Sequence, residues 1–437
     1  MTATMKIRGL RARPVLVPFK RPPASASGAI PTAALVLIDL ETNGGVTGRS
    51  YVFGFAAWTL GPIVGCLKAM TEMIAGDALA PFDIEAKLRR QLTLLDTPGL
   101  VGLALAGIDM AAWDALAQAR GVPLVTLLGG APRPVPAYNS TGLWIQPVEK
   151  LADEAEALLA EGFKAVKLRL GRDDFSQDLA AVRAVRQRIG DRATLMCDFN
   201  QRLTVNEAVQ RGRALDDEGL YWIEEPVRHD DYAGYARIAA EVQTPIQTGE
   251  NLVDTFEMAE AIAARSVELV MPDVQRIGGV TGWLRAAALA HAHGIEMSSH
   301  LFPEFSVHLL GVTPTCHWLE FMDWAEPVIQ EPIRVVDGLA QIPDRPGAGL
   351  VWNEDAVRRY SVDGRALHVF PGFARGRHVR GERRALAAAG RGWFLFGVAV
   401  IAAITPSAAR SGPAPEPASD LLDSDRSISP SLSRGGP

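Results

Sequence analysis

From about residue 135 onward the chain alternates short, continuously apolar runs with longer amphipathic ones. Eight short runs stand out: VPAYNS, AVKLRL, ATLMCDFN, LYWIEE, TPIQTGE, VELVMPD, IEMSSH and HWLEF. Unbroken apolarity over so few residues, rich in β-branched and aromatic side chains, is the pattern of a parallel strand buried on both faces. Between them lie helical periods. PVEKLADEAEALLAEG stops at Gly162, TVNEAVQRGRALDDEG opens on a capping box of Thr204 and Glu207, and GGVTGWLRAAALAHAHG follows Asp273. Strand and helix alternating eight times predict an α/β fold built on a parallel (β/α) barrel over residues 131–325.

The first 130 residues follow a different pattern. KIRGLRARPVLVPF, AALVLIDLE and VTGRSYVFGF predict antiparallel strands, the last two joined at Thr42–Gly45, where Asn43-Gly44 marks a hairpin. FKRPPASASGAIP, between the first two, has the Pro, Ser, Ala and Gly content of a mobile loop. Helical patterns at about 59–76 and 100–120, the second ending on Gly121, complete a separate α+β domain. After the barrel, residues 326–361 are expected to return and pack on this first domain. The tail, 362–437, carries a basic stretch, the apolar run Trp393 to Ile404 and a Pro/Ser-rich end with a disordered composition. Its apolar run is well short of the roughly 20 residues that a membrane span needs, so the tail is expected to be a nonessential extension and a membrane is not an expected partner.

The strand-closing residues carry the chemistry. They are Ser140, Lys167, Asp198, Glu224, Glu250, Asp273, His300 and Glu320, and subtracting neighbouring numbers gives gaps of 20 to 31 residues, the length of one strand-plus-helix unit. Loops at the C-terminal ends of barrel strands surround one mouth, so residues far apart in sequence are expected to meet there. Asp198, Glu224 and Glu250 would then converge from three consecutive strands. Three carboxylates repel one another unless a cation joins them, and ligation by oxygen alone suits Mg²⁺ better than Zn²⁺. Lys167 and Arg169, two apart, share a face, as do Asp198 and Asn200 if the strand conformation continues.

Composition narrows the partners. A net charge of -6 and a pI near 5.8 leave no large basic surface, so nucleic acid is not expected. Cys66, Cys197 and Cys316 form no CxxC pair and read as small core fillers in a reducing compartment. MTATMKIRGL contains no apolar signal-peptide core, so a cytoplasmic location is expected.

Five segments carry a resemblance: WIEEP (222–226), QTGEN (247–251), MPDVQRIGGVTGW (271–283), MSSHLF (297–302) and TPTCHWLE (313–320). In this order they closely resemble the enolase superfamily and, within it, the mandelate racemase subgroup, over about Arg8 to Val362. The resemblance implies a modified TIM barrel with an N-terminal α+β capping domain, and one Mg²⁺ at Asp198, Glu224 and Glu250. It implies that a proton α to a carboxylate is abstracted by His300, paired with Asp273, while Lys167 and Glu320 support the substrate carboxylate. A homo-oligomer is expected as well. The chemistry is coherent: the carbanion formed would place two negative charges on one group, and a divalent cation stabilises them as they develop. Lys167 adds charge, Glu320 if held protonated donates a hydrogen bond, and Asp273 orients and strengthens His300.

This chain departs from the subgroup's Lys-x-Lys pair at one place, Arg169, where a racemase carries its second base. Bringing a guanidinium from above ~12.5 to ~7 would take on the order of 7 kcal/mol, so racemisation by two bases is in question. On the substrate side, Pro22, Pro23, Ala24 and Ile30 of the loop, Phe53 and Phe55, and Leu301 and Phe321 would wall an apolar distal pocket; Ser140 and Asn200 are further candidate substrate contacts. Hydroxyls would go unpaired against such walls, which favours a small aryl or alkyl 2-hydroxy acid. Lys20, Arg21 and the loop serines leave a polar ligand open. Racemisation is the leading expectation, an acid-sugar dehydratase needing only one face is the second, and a non-catalytic binding protein on the same fold the third.

Overall fold

The antiparallel strands Ile7–Pro18, Thr32–Thr42 and Thr47–Phe53 form one sheet in that order, with Thr32–Thr42 in the centre. In this computed structural model residues 5–95 and 97–362 are described; the expectations for the tail beyond 362 lie outside them. The hairpin turns through Gly45 at φ 78°, a conformation that glycine adopts without strain. Two helices, Leu60–Ile74 and Leu100–Arg120, fulfil the predicted patterns, the second capped by left-handed Gly121. A third, Pro81–Gln91, was not expected: it buries only Pro81, Ile84, Glu85 and Leu88, too few positions to stamp a period on the sequence.

Leu100–Arg120 is apolar on nearly every side because it is the core of this domain. By length and composition it could cross a membrane, yet 78% of its most apolar window is buried inside the protein. One face lies directly on the sheet, where a Cβ on Gly48 would stand 1.9 Å from the Ala111 carbonyl oxygen. The other meets the barrel: Trp113 donates to Thr281 Oγ1 at 2.9 Å, and Asp109 accepts from the Thr281 amide at 2.9 Å. Burial pushes the Asp109 carboxyl up to about 7 against the pull of the Thr281 hydrogen bonds.

All eight predicted barrel strands are present, from Val135–Asn139 to Leu319–Phe321. They are short and pair in parallel in chain order; the last closes on the first through Leu319 and Ala137, and Met297 bridges to Cys316. The Thr204 capping box forms as read from the sequence. The loop after the first strand makes a small hairpin, Ala24–Ser25 against Gly28–Ala29, and Ala24 O accepts from the Ile145 amide at 2.7 Å, which lays it across the barrel mouth.

The return segment touches both bodies rather than the capping domain alone. Leu339 and Ala340 pair antiparallel with Pro136 and Val135 of the first barrel strand, while Trp352 donates to Asp39 at 2.8 Å and Ser361 bridges to Val15. Fully buried Asp114 ties this segment down by accepting from the amides of Arg49 and Ala348, each at 2.7 Å, and from Gln118. Asp114→Ala would strand two buried amides, at ~1–3 kcal/mol each. A loss of about 2–4 kcal/mol in urea unfolding is therefore expected; a change below about 0.5 kcal/mol would contradict this role for Asp114.

Candidate active site

Asp198 and Glu224 are the last residues of their strands, and Glu250 follows its own by two, across Gly249. One carboxylate oxygen from each lies within 4.8 Å of the other two. Each strand end turns away sharply. Asn200, Glu225 and Leu301 take φ of 45°, 40° and 51°, left-handed backbone that is uncommon for such residues and costs on the order of 1–3 kcal/mol each. Asn200 therefore does not continue the strand from Asp198. It folds back instead, its amide and Nδ2 donating to the Asp198 carboxylate at 2.7 and 3.0 Å, and it still reaches the cavity.

Lys167 is buried among carboxylates. Its Nζ contacts Glu224 Oε1 and lies 2.9 Å from Glu320 and 3.5 Å from Asp198. Burial alone would lower its pKa, but Glu224, Glu320 and Asp198 outweigh that and hold it well above the ordinary lysine range. Arg169 is tied more firmly still. Its guanidinium donates to the carbonyls of Ser140, Gly142 and Lys167 at 3.2–3.3 Å and to Ser140 Oγ at 2.7 Å, and it stacks on Trp144 with 4.1 Å to the ring centre. Four acceptors and an aromatic face thus hold the guanidinium in place.

His300 Nδ1 sits 2.8 Å from Asp273, whose other oxygen accepts from the amides of Gln275 and Arg276. This leaves Nε2 facing the cavity, 3.4 Å from Glu250 and 3.8 Å from Glu320. Burial draws the imidazole pKa down, yet Glu250, Glu320 and Asp273 together raise it to about 9. The ring is thus protonated at neutral pH while those carboxylates are uncompensated.

Among the described residues, Asp198, Glu224, Glu225, Glu250, Asp273 and Glu320 crowd this mouth against Lys167 and Arg169 as permanent cations. Burial, opposed by Lys167, pushes Glu224 up to about 8, and burial with the Glu250 charge pushes Glu225 up strongly. The donor set is all oxygen and carries excess negative charge, which fits a hard divalent cation. Trp222 and Gln247 hold Glu224 Oε2 at 3.0 and 3.3 Å, leaving Oε1 to Lys167 or to a metal.

Three sequence expectations change. Glu320 is not a neutral acid here: burial favours the protonated form, but Lys167, His300 and Arg169 override it and hold the carboxyl well below its usual range. Ser140 does not reach the cavity; its hydroxyl donates to Glu320 at 2.7 Å and so positions that group. Phe53 stands behind the wall, 4.3 Å from the ring of Phe55 and 4.7 Å from that of Trp324, and Phe321 packs on Phe163 instead. Pro23, Ile30, Phe55, Asn200 and Leu301 do line the cavity, about 110 Å³; Pro22 and Ala24 do not. Trp144, Met322 and Trp324 complete its wall, and Glu225 braces Asn251 and Gln201 beneath it. Trp144, Met322 and Trp324 carried no signal, since none closes an apolar run; Glu225 was marked only by the doubled Glu224-Glu225 that ends LYWIEE.

Comparison with known proteins identifies the family. Residues 7–129 match the mandelate racemase/muconate lactonizing enzyme N-terminal domain, and residues 150–356 match the enolase C-terminal domain-like family. An enolase from alpha proteobacterium bal199 with bound magnesium is 47% identical, covers 82% of this chain and all of its own, and superposes with TM-score 0.81. An enolase from Bradyrhizobium, complexed with magnesium and mandelic acid, is 44% identical over 83% of this chain and all of its own, with TM-score 0.79. The 3,6-anhydro-alpha-L-galactonate cycloisomerase of Streptomyces coelicolor is 34% identical over 77% of this chain and 94% of its own length. The protein is a member of the mandelate racemase/muconate lactonizing enzyme family, within the enolase superfamily.

Proposed function

We propose that this protein is a Mg²⁺-dependent enzyme that removes the proton α to the carboxylate of a small 2-hydroxy acid, with His300 as the base. The observation that carries this reading is the His300–Asp273 pair, whose Nε2 faces the same cavity as Asp198 and Glu250 of the three-carboxylate cluster, 3.4 Å from Glu250. Mg²⁺ at Asp198, Glu224 and Glu250 would supply positive charge opposite the substrate carboxylate and so stabilise the charge that builds there. Lys167, freed from Glu224, would turn to a substrate oxygen. Asp273 keeps Nδ1 occupied, so the proton moves to Nε2.

Arg169, locked by its four acceptors, makes single-face chemistry the favoured outcome. On a 2,3-dihydroxy acid, His300 takes the α-proton and returns it to the departing β-hydroxyl, which leaves as water; the resulting enol becomes a 2-keto acid. Racemisation of an aryl 2-hydroxy acid is the second reading. It is supported by the apolar wall of Ile30, Phe55, Leu301, Met322 and Trp324 and by the mandelate-bound relative. It would need a base on the other face, and among the described residues Lys167 is the only lysine on the cavity.

Incubation with Mg²⁺ and short 2,3-dihydroxy acids is expected to yield 2-keto acids with deuterium exchange at one face only. In deuterated water, one mandelate enantiomer should exchange at least tenfold faster than its mirror image. Equal exchange of both enantiomers with formation of racemate would overturn the single-face reading in favour of the second.

Glu224→Gln removes one charge from the metal cluster but no core volume, so calorimetric Mg²⁺ affinity and turnover are expected to fall at least tenfold while the melting curve stays put. Turnover within about threefold of wild type would contradict the assignment. Arg169→Lys should speed exchange at the slow face, because with Mg²⁺ bound to offset the carboxylates, an ammonium beside Lys167 could be tuned toward ~7 to 8; no change in the enantiomer ratio would remove Arg169 from the account.

A further inference from the structure

A second cavity, about 190 Å³, opens at the start of the helix Leu100–Arg120 and shares one wall, Phe55, with the substrate cavity. That helix begins with no capping side chain and no acid in its first turn. Its first bonded amide is Leu103, which donates to the Gly99 carbonyl at 3.0 Å. The amides of Leu100, Val101 and Gly102 thus project from the positive end of a 21-residue helix.

Two side chains that need acceptors meet this end. Arg276 lines the cavity and stacks on Phe55, 5.0 Å from the ring centre, but its guanidinium has no hydrogen-bond or ion-pair partner among the described residues, and its Nε is buried. Gln275 is fully buried and also lines the cavity. Its Oε1 accepts from the Phe53 amide at 2.9 Å, which fixes the amide group with Nε2 at the opposite end, and that Nε2 has no acceptor among the described residues. Two neighbouring acids among the described residues are already engaged. Asp254 accepts from the Phe256 amide at 2.7 Å and faces Arg89 at 3.7 Å, while Glu257 accepts from the Val253 amide at 2.7 Å. Among the described residues, a guanidinium, a buried amide and a helix N-terminus therefore converge with no free carboxylate to meet them, an arrangement that is favourable opposite negative charge.

We propose that this cavity is a binding site for a small oxyanion, a carboxylate or inorganic phosphate, held by Arg276, Gln275 Nε2 and the first amides of Leu100–Arg120. The test is calorimetric titration of phosphate, and separately of acetate, into the metal-free full chain, whose carboxylate-rich mouth repels anions. One site per chain is expected for at least one of the two, and the stronger binder identifies the source. Arg276→Met keeps the aliphatic stem and should weaken that binding at least tenfold. Gln275→Glu keeps the acceptor for Phe53 but adds like charge and should do the same; if only one variant melts like wild type, that variant decides. Absence of binding by both anions up to tens of millimolar, or binding unchanged in the folded variants, would overturn the proposal.

Discussion

Like charge packed into a dry mouth is the constraint on which this structure turns. Asp198, Glu224, Asp273 and Glu320 are all essentially buried, and the two permanent cations beside them leave the balance negative. Buried carboxylates in such a group either take up protons or recruit a cation, and their environment shows both tendencies at once. Glu224 is pushed up toward protonation, while Lys167 swings onto its oxygen. The carboxylates raise His300, while Lys167, His300 and Arg169 hold Glu320 down.

Holding such a cluster together takes a rigid frame. Parallel pairing fixes each strand end, and the left-handed residues Asn200, Glu225 and Leu301 turn the chain away at once so that the preceding carboxylates or imidazole remain in the mouth. Closure on the apolar side comes from the capping domain, whose loop supplies Pro23 and Ile30 and whose third strand leads into Phe55. Asp109 and Trp113 on the capping helix both reach Thr281 on a barrel helix, so the position of the lid wall and that of the catalytic ends are linked through one buried polar joint.

Much of this was legible in the sequence because it is written in periods. Strands buried on both faces leave continuous apolar runs, and a polar residue closing each run stands out at unit spacing, which is how Lys167 through Glu320 could be named. What depends on the turn after a strand was not legible. Nothing local says that Asn200 reverses or that Phe53 and Phe55, two residues apart, end on different sides of the cavity wall; Phe55 does so through a φ of 63°. Charge balance was also hidden, because the expectation of a neutral Glu320 needed the count of cations around it. Trp144, Met322 and Trp324 lie on loops or just past a strand, where no period marks them.

A crystal structure of the full chain grown with Mn²⁺, which accepts the same oxygen ligands as Mg²⁺ and can be located by its anomalous scattering, tests the central claim most directly. The account predicts a single anomalous peak within about 2.0–2.4 Å of one oxygen each from Asp198, Glu224 and Glu250, with Lys167 Nζ displaced from Glu224. A peak elsewhere, or a mouth without one in which Lys167 still holds Glu224, would contradict it.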